Sequence, residues 1–86
     1  MPRVFIPAQL RDLTEGLAEI ELAGNNLGDV LEAFESRFPG VTDRIRDHDQ
    51  LSPSLQVSVD QDLTRSLSTT VQPDSEIHFL PAIGGG

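Results

Sequence analysis

One helical segment limits the possible folds of this chain more than any other feature of its sequence. Apolar residues three and four positions apart share one face of a helix; here they are Leu27, Val30, Leu31, Phe34 and Phe38. Asn26 before them is typical of a helix N-cap, and Pro39-Gly40 after them ends the pattern. A helix with a single apolar stripe needs an apolar surface to cover, so the rest of the chain must supply one.

Short strands supply that surface. Apolar and polar residues alternate in residues 3–6, 18–22, 55–60 and 76–80, and an irregular strand is predicted near residues 63–65. Turn-forming residues lie between the strands, at Glu15-Gly16, Asp60-Gln61-Asp62 and Pro73-Asp74-Ser75. The resulting order is β-β-α-β-β-β, which predicts an α+β fold: a mixed sheet packed on one main helix, with the first and last strands parallel neighbours at the centre.

The remaining segments complete this prediction. Polar residues 44–53 are expected to form a loop, and Val41 and Ile45, four apart, one more helical turn beneath it. The expected core comprises the apolar residues of the strands and the helix: Val4, Ile6, Ile20, Leu22, Leu27, Val30, Leu31, Phe34, Phe38, Leu55, Val57, Val59, Ile77 and Phe79.

Composition narrows the possible functions. The chain has 86 residues, the size of one small domain, with six Arg, no Lys, fourteen Asp and Glu, and a net charge of −8. An acidic chain repels phosphate backbones and anionic headgroups, so neither nucleic acid nor a membrane is an expected partner. The absence of Cys excludes disulfides and a cysteine nucleophile. Without a signal-peptide pattern or an apolar run of roughly 20 residues, the expected location is the cytoplasm.

Side chains suited to catalysis are few. The two histidines, His48 and His78, lie in the polar loop and on the expected exposed face of the last strand. The run Asp47-His48-Asp49 lacks the spacing of an EF-hand loop or a His-x-x-x-His motif, so no metal site is expected. No serine lies in the strained turn that a seryl nucleophile needs.

The most informative feature follows the last strand. Pro81 ends the strand, and residues 82–86 close with three glycines. Glycine adopts any backbone conformation and leaves no side chain to block a narrow channel. Residues 1–81 are expected to form the domain, and residues 82–86 a flexible tail that reaches about 17 Å when extended. Such a tail delivers the Gly86 carboxylate into another protein's active site, where adenylation and sulfur transfer would leave a thiocarboxylate.

The sequence resembles the MoaD/ThiS family of ubiquitin-like sulfur carriers, which share the β-grasp fold. Residues 6–11 are similar to the family's first strand and its P-x-x-L-R, residues 26–31 to its helix start, and residues 55–60 to its V-N-V-x-V-N strand. Residues 76–86 are similar to the family's ending D-x-V-x-I-L-P-A-V-A-G-G, which aligns Gly85-Gly86 with the terminal glycine pair. The resemblance covers nearly the whole chain, and this ending is its most specific part.

The sequence also departs from the family pattern. Asp60-Gln61 stands where the family has Asn-Gly, and Asp74-Ser75 stands where Gly-Asp precedes the last strand. Gly84 replaces a small alanine. Ser54 and Ser58 occupy positions that are often aromatic on the exposed sheet face.

The resemblance implies a function carried out with partner enzymes. An E1-like adenylyltransferase, using ATP and magnesium, adenylates the Gly86 carboxylate, and sulfur transfer converts it to a thiocarboxylate. The chain is then a carrier or small non-catalytic subunit that binds no cofactor itself. Residues 39–45 look most like two branches, whose acceptors are the molybdopterin synthase large subunit or a cysteine synthase-like enzyme. The thiazole pathway ranks last, because its carriers typically lack the loop at residues 42–53.

Partners are expected to dock on the exposed sheet face beside the tail, on Phe5, His78, Leu80, Pro81 and Ile83. Two other functions stay open. A ubiquitin-like protein modifier would be attached through Gly86 to lysines of its targets. A non-covalent ubiquitin-like adaptor would keep its function without Gly85 and Gly86.

Overall fold

A computed structural model describes residues 1–47, 50–52 and 55–81. Its helix and strands follow in the order β1 (Arg3–Phe5), β2 (Glu19–Glu21), α1 (Leu27–Arg37), β3 (Arg46–Asp47), β4 (Gln50–Leu51), β5 (Leu55–Val59), β6 (Asp62–Thr64) and β7 (Glu76–Pro81). Two 3₁₀ turns, Ala8–Leu10 and Val41–Asp43, come after β1 and α1.

Strand β7 lies at the centre of the main sheet, whose order is β2-β1-β7-β5-β6. It pairs in parallel with β1, with Val4 beside Ile77, and antiparallel with β5, with Val57 beside Phe79. Helix α1 lies in the chain between β1 and β7, and its apolar face covers the sheet. The predicted α+β fold, with a mixed sheet on one main helix and parallel first and last strands, is confirmed.

The prediction of a plain loop over residues 44–53 is wrong. Arg46–Asp47 pairs with Gln50–Leu51 as a separate two-stranded antiparallel sheet. Strands of two residues are too short for an alternating pattern to show in the sequence. Ile45 and Leu51 hold this segment on the core, since their side chains are 0% and 2% exposed.

Helix α1 begins at the predicted N-cap. The side-chain oxygen of Asn26 accepts a hydrogen bond from the backbone N–H of Asp29 at 2.8 Å. In the first turn, Gly28 donates its N–H to the carbonyl of Leu67 at 2.8 Å, and a Cβ at Gly28 would lie 3.4 Å from that oxygen. That Cβ would also lie 3.3 Å from the Asn26 Oδ1, so a side chain at position 28 would have little room between the N-cap and the chain after β6.

The predicted core is confirmed except at Leu55, which is only partly buried. The core also holds five apolar residues that the predicted core did not include, from turns, the short strand β4 and irregular segments: Leu10, Val41, Ile45, Leu51 and Val71. The stacked contact between Phe34 and Phe79 joins helix to sheet, and the T-shaped contact between Phe34 and Phe38 lies at the end of the helix.

Glu35 on α1 fixes the turn that follows the helix. Its carboxylate accepts hydrogen bonds from the backbone N–H of Gly40 at 2.8 Å, the N–H of Thr42 at 3.1 Å and the Thr42 hydroxyl at 2.5 Å. The Thr42 hydroxyl and then these two N–H groups hold the pKa of Glu35 below its ordinary value. The turn places Val41 in the core, so the carboxylate supports packing at the end of the helix.

Replacing Glu35 with Gln should lower the free energy of unfolding. Both carboxylate oxygens of Glu35 accept hydrogen bonds, and the NH₂ group of Gln would replace one of them and face a donor. The lowered folded-state pKa means that the ionised carboxylate contributes stability above its ordinary pKa of 4.5, and this stability is lost as the pH falls through the lowered pKa. The difference between wild type and Glu35→Gln should therefore shrink on acidification. Urea unfolding at about pH 7 and about pH 3 checks this; an unchanged difference would contradict it.

Asp60 and Ser75, which both depart from the family pattern, contact each other. Asp60 adopts a φ of 59°, and its carboxylate accepts from the Ser75 hydroxyl at 2.9 Å and the Glu76 N–H at 3.0 Å. Ser75 is 1% exposed, and its hydroxyl accepts from the Gln72 N–H at 2.9 Å. Asp60 also donates its own N–H to the Glu76 carbonyl at 2.7 Å. The turn after β5 is thereby tied to the start of β7.

A double-mutant cycle tests the hydrogen bond between Asp60 and Ser75. Asp60→Gly and Ser75→Ala should each destabilise the protein by about 1–2 kcal/mol, and the double variant by less than their sum, because the two groups share one hydrogen bond. Asp62→Ala combined with Ser75→Ala is the control, since Asp62 lies nearby in β6 without such a bond. Additive effects for Asp60 and Ser75 in urea unfolding would show that the contact contributes nothing.

Candidate functional site

The exposed face of the main sheet carries one row of side chains across all five strands. The strand register aligns Glu19, Phe5, His78, Ser58 and Leu63. Because side chains alternate along a strand, this row points away from the core. Leu63 at the edge is 61% exposed, whereas Phe5, His78 and Ser58 are half-buried.

An aromatic pair lies at the middle of this row. The rings of Phe5 and His78 stack with centroids 4.3 Å apart and planes 3° from parallel. The His78 Nε2 lies 3.8 Å from a carboxylate oxygen of Glu76, and both side chains are about half exposed, so water screens this interaction. The stacking fixes a flat apolar surface on the two central strands.

Leu80 extends this surface toward the end of β7. It is 39% exposed and lines, with Phe5 and His78, a hollow of about 510 Å³. Glu19 and Arg11 also line it. The structure therefore brings three of the predicted docking residues together, and we name Phe5, His78 and Leu80 the docking patch.

A second hollow, of about 240 Å³, lies on the other side of Leu80. The two hollows share Pro7, Phe79 and Leu80. The second is otherwise lined by Gln9, Leu10, Arg44 and Leu55. Pro7 and Leu80 thus form a ridge between two depressions, and this ridge lies where β7 ends.

The other predicted site residues lie at or beyond that end. Pro81 is the last residue of β7 and pairs with Leu55. Ile83, Gly84, Gly85 and Gly86 lie outside the described residues. His48 and Ser54 also lie outside them.

Three residues on this face or in the two hollows were not among the predicted docking residues. Leu63 belongs to an irregular edge strand, and Arg11 and Arg44 belong to segments without periodicity. Arg11 is held by its Nε, which donates to the Ile6 carbonyl at 3.1 Å. Position in the sequence gives no signal that Arg11 and Arg44 flank the same ridge.

Two further findings concern the described part of the chain. Within residues 1–47, 50–52 and 55–81, no group of three or more His, Asp or Glu side chains is arranged to hold a metal ion. The helices in these ranges are too short and too polar to cross a membrane.

Several known proteins are similar to this chain in sequence and in fold. The sulfur carrier protein CysO of Mycobacterium tuberculosis (strain ATCC 25618 / H37Rv) is 30% identical over 89 residues, covering 96% of both chains. The crystal structure of M. tuberculosis CysO superposes with a TM-score of 0.89 at 25% identity, covering 96% of this chain and 100% of that one. A chain of the Amycolatopsis orientalis BexX/CysO complex gives a TM-score of 0.91 at 27% identity over 100% of both chains.

A third structure is that of small archaeal modifier protein 1 from Methanosarcina acetivorans, with a TM-score of 0.78 at 25% identity over 99% of this chain and 95% of that one. The model of the ThiS family matches residues 4–86. The chain therefore belongs to the ThiS family, and its fold is the β-grasp fold of the CysO structures.

Proposed function

We propose that this chain is a sulfur carrier whose Gly86 carboxylate is converted to a thiocarboxylate. A carboxylate oxygen attacks the α-phosphorus of ATP and releases pyrophosphate, which gives an acyl adenylate. Hydrosulfide then attacks the acyl carbon, AMP leaves, and the product loses a proton to become the thiocarboxylate. ATP and magnesium are bound by the activating partner, an E1-like adenylyltransferase.

The observation that carries this proposal is the family match through residue 86, which includes the Gly85-Gly86 pair. The position of β7 supports it. This central strand pairs with β1 as far as His78 and with β5 as far as Pro81, so the base of the tail is fixed to the domain. Five extended residues beyond Pro81 span about 17 Å, enough to place Gly86 in a partner's active site while the domain stays outside.

The docking patch is proposed as the surface that the adenylyltransferase and the acceptor enzyme both contact. An aromatic pair and an exposed leucine beside the base of the tail supply apolar area at the point where a partner must close around it. The catalytic groups belong to the partners, so the chain acts as a co-substrate. Its relatives named CysO favour the cysteine branch, and the molybdopterin synthase large subunit is the second acceptor to test.

A protein modifier is the second candidate, because the structure of an archaeal modifier protein is also similar. The absence of Lys means that this chain cannot form polymers on its own lysines. It could still serve as a single tag attached through Gly86. Isopeptide-linked adducts on other proteins would then replace the thiocarboxylate as the product.

Intact mass spectrometry tests the carrier chemistry. The protein is incubated with ATP, magnesium, an E1-like adenylyltransferase and sulfide, and the mass should rise by the difference between sulfur and oxygen. Removal of Gly85-Gly86 should abolish the change while the unfolding midpoint stays the same, because β7 remains complete. Gly84→Ala is the matched control and should react normally, since the family carries alanine there. A mass increase in the truncated protein would contradict the proposal.

Leu80→Ala tests the docking patch. It should weaken binding to the adenylyltransferase by about 1–2 kcal/mol, or roughly tenfold, because Leu80 lies between the two hollows beside the tail. Leu63→Ala is the matched control, since Leu63 is more exposed on the same face but lies at the sheet edge. Isothermal titration calorimetry gives both dissociation constants. Equal values for the two variants would show that the patch is not the contact surface.

A further inference from the structure

Two arginines flank the ridge at the end of β7. Arg11 lines the first hollow and Arg44 the second, and both hollows include Leu80. We name Arg11 and Arg44 the arginine collar. A third cation is close by, because Arg65 Nη1 donates to the carbonyl of Leu55, the residue that pairs with Pro81. Half of the chain's six arginines thus lie around the base of the tail.

The collar residues differ in how firmly they are held. Arg11 is oriented by its Nε bond to the Ile6 carbonyl at 3.1 Å. The Arg44 Nη2 lies 3.8 Å from the Asp12 Oδ2, and the two side chains are 53% and 65% exposed. Water therefore screens this ion pair, and a carboxylate of a partner can replace Asp12. Glu19 is the acidic residue that lines the hollow with Arg11. Both collar cations therefore remain accessible to a partner.

The opposite end of β7 is acidic. There, Arg3 lies between Glu21 and Glu76 in the strand register, and the Asp60 carboxylate caps the start of the strand. Three arginines thus lie at the tail end of the central strand, where Asp12 and Glu19 partly offset them, and carboxylates outnumber Arg3 at its start. Within a chain of net charge −8, this arrangement gives the domain a preferred orientation in the field of a charged partner.

We propose that the arginine collar docks on an acidic rim around the partner's tail channel. This inference rests on the proposed function and names the partner chemistry at its docking site. Carboxylates on such a rim attract the collar and repel the acidic far end of the domain, so encounters with the tail foremost are favoured. The phosphates of ATP do not fit this role, because up to about 17 Å of tail separates the collar from Gly86.

Association kinetics with the E1-like adenylyltransferase test the collar. Arg11→Gln and Arg44→Gln should each lower the association rate constant about threefold or more and reduce its dependence on salt between about 50 mM and about 200 mM. Arg3→Gln is the matched control, because it changes the net charge by the same amount at the opposite end of the sheet. Arg11→Lys keeps the charge without the Nε bond and should associate nearly as fast as the wild type.

Each outcome has a distinct meaning. Equal slowing by Arg3→Gln would show that only net charge matters and would overturn the collar. Slowing by Arg11→Lys as large as by Arg11→Gln would reduce Arg11 to a structural role and would also overturn it. If the wild type forms thiocarboxylate while the collar variants associate normally, the inference alone fails. If the wild type forms none, the proposed function fails and the inference fails with it.

Discussion

The parallel pairing of β1 with β7 is the interaction on which the rest of the structure depends. It places the last strand between two neighbours: β7 pairs with β1 from Glu76 to His78 and with β5 from Ile77 to Pro81. The same pairing stacks Phe5 on His78 and brings Leu80 beside Pro7. The pairing with β1 therefore builds the apolar surface, and the pairing with β5 fixes the base of the tail next to it.

Hydrogen bonds to two carboxylates, those of Asp60 and Glu35, hold the turns next to β7 and α1 in place. Asp60 connects the β5–β6 turn to the start of β7, where the sequence departs from the family pattern on both sides of the contact. The hydroxyl of Ser75 and the φ of 59° at Asp60 together show how a turn without Asn-Gly keeps the fold. Glu35 performs a similar task at the end of α1, where it orders the turn that buries Val41.

The helix, the main strands and the grouping of Phe5, His78 and Leu80 on the exposed face could be predicted from the sequence because each rests on a period, and the element order led to the mixed sheet. The alternation in β7 is enough to place His78 and Leu80 on the exposed face and Ile77 and Phe79 in the core. The pairing of β3 with β4 could not be predicted, because two residues carry no period. The contact between Asp60 and Ser75 and the positions of Arg11 and Arg44 arise only when distant segments meet.

Alkylation of the protein isolated from its own cells is the most direct test of the carrier chemistry. The sequence contains no cysteine, so a thiol-selective reagent such as iodoacetamide has no side-chain thiol to modify, and a thiocarboxylate is the expected target. The predicted result is a single carbamidomethyl group that fragmentation mass spectrometry places on Gly86. A protein that is recovered unlabelled, with an unmodified Gly86 carboxylate under conditions of active sulfur metabolism, would contradict the carrier function.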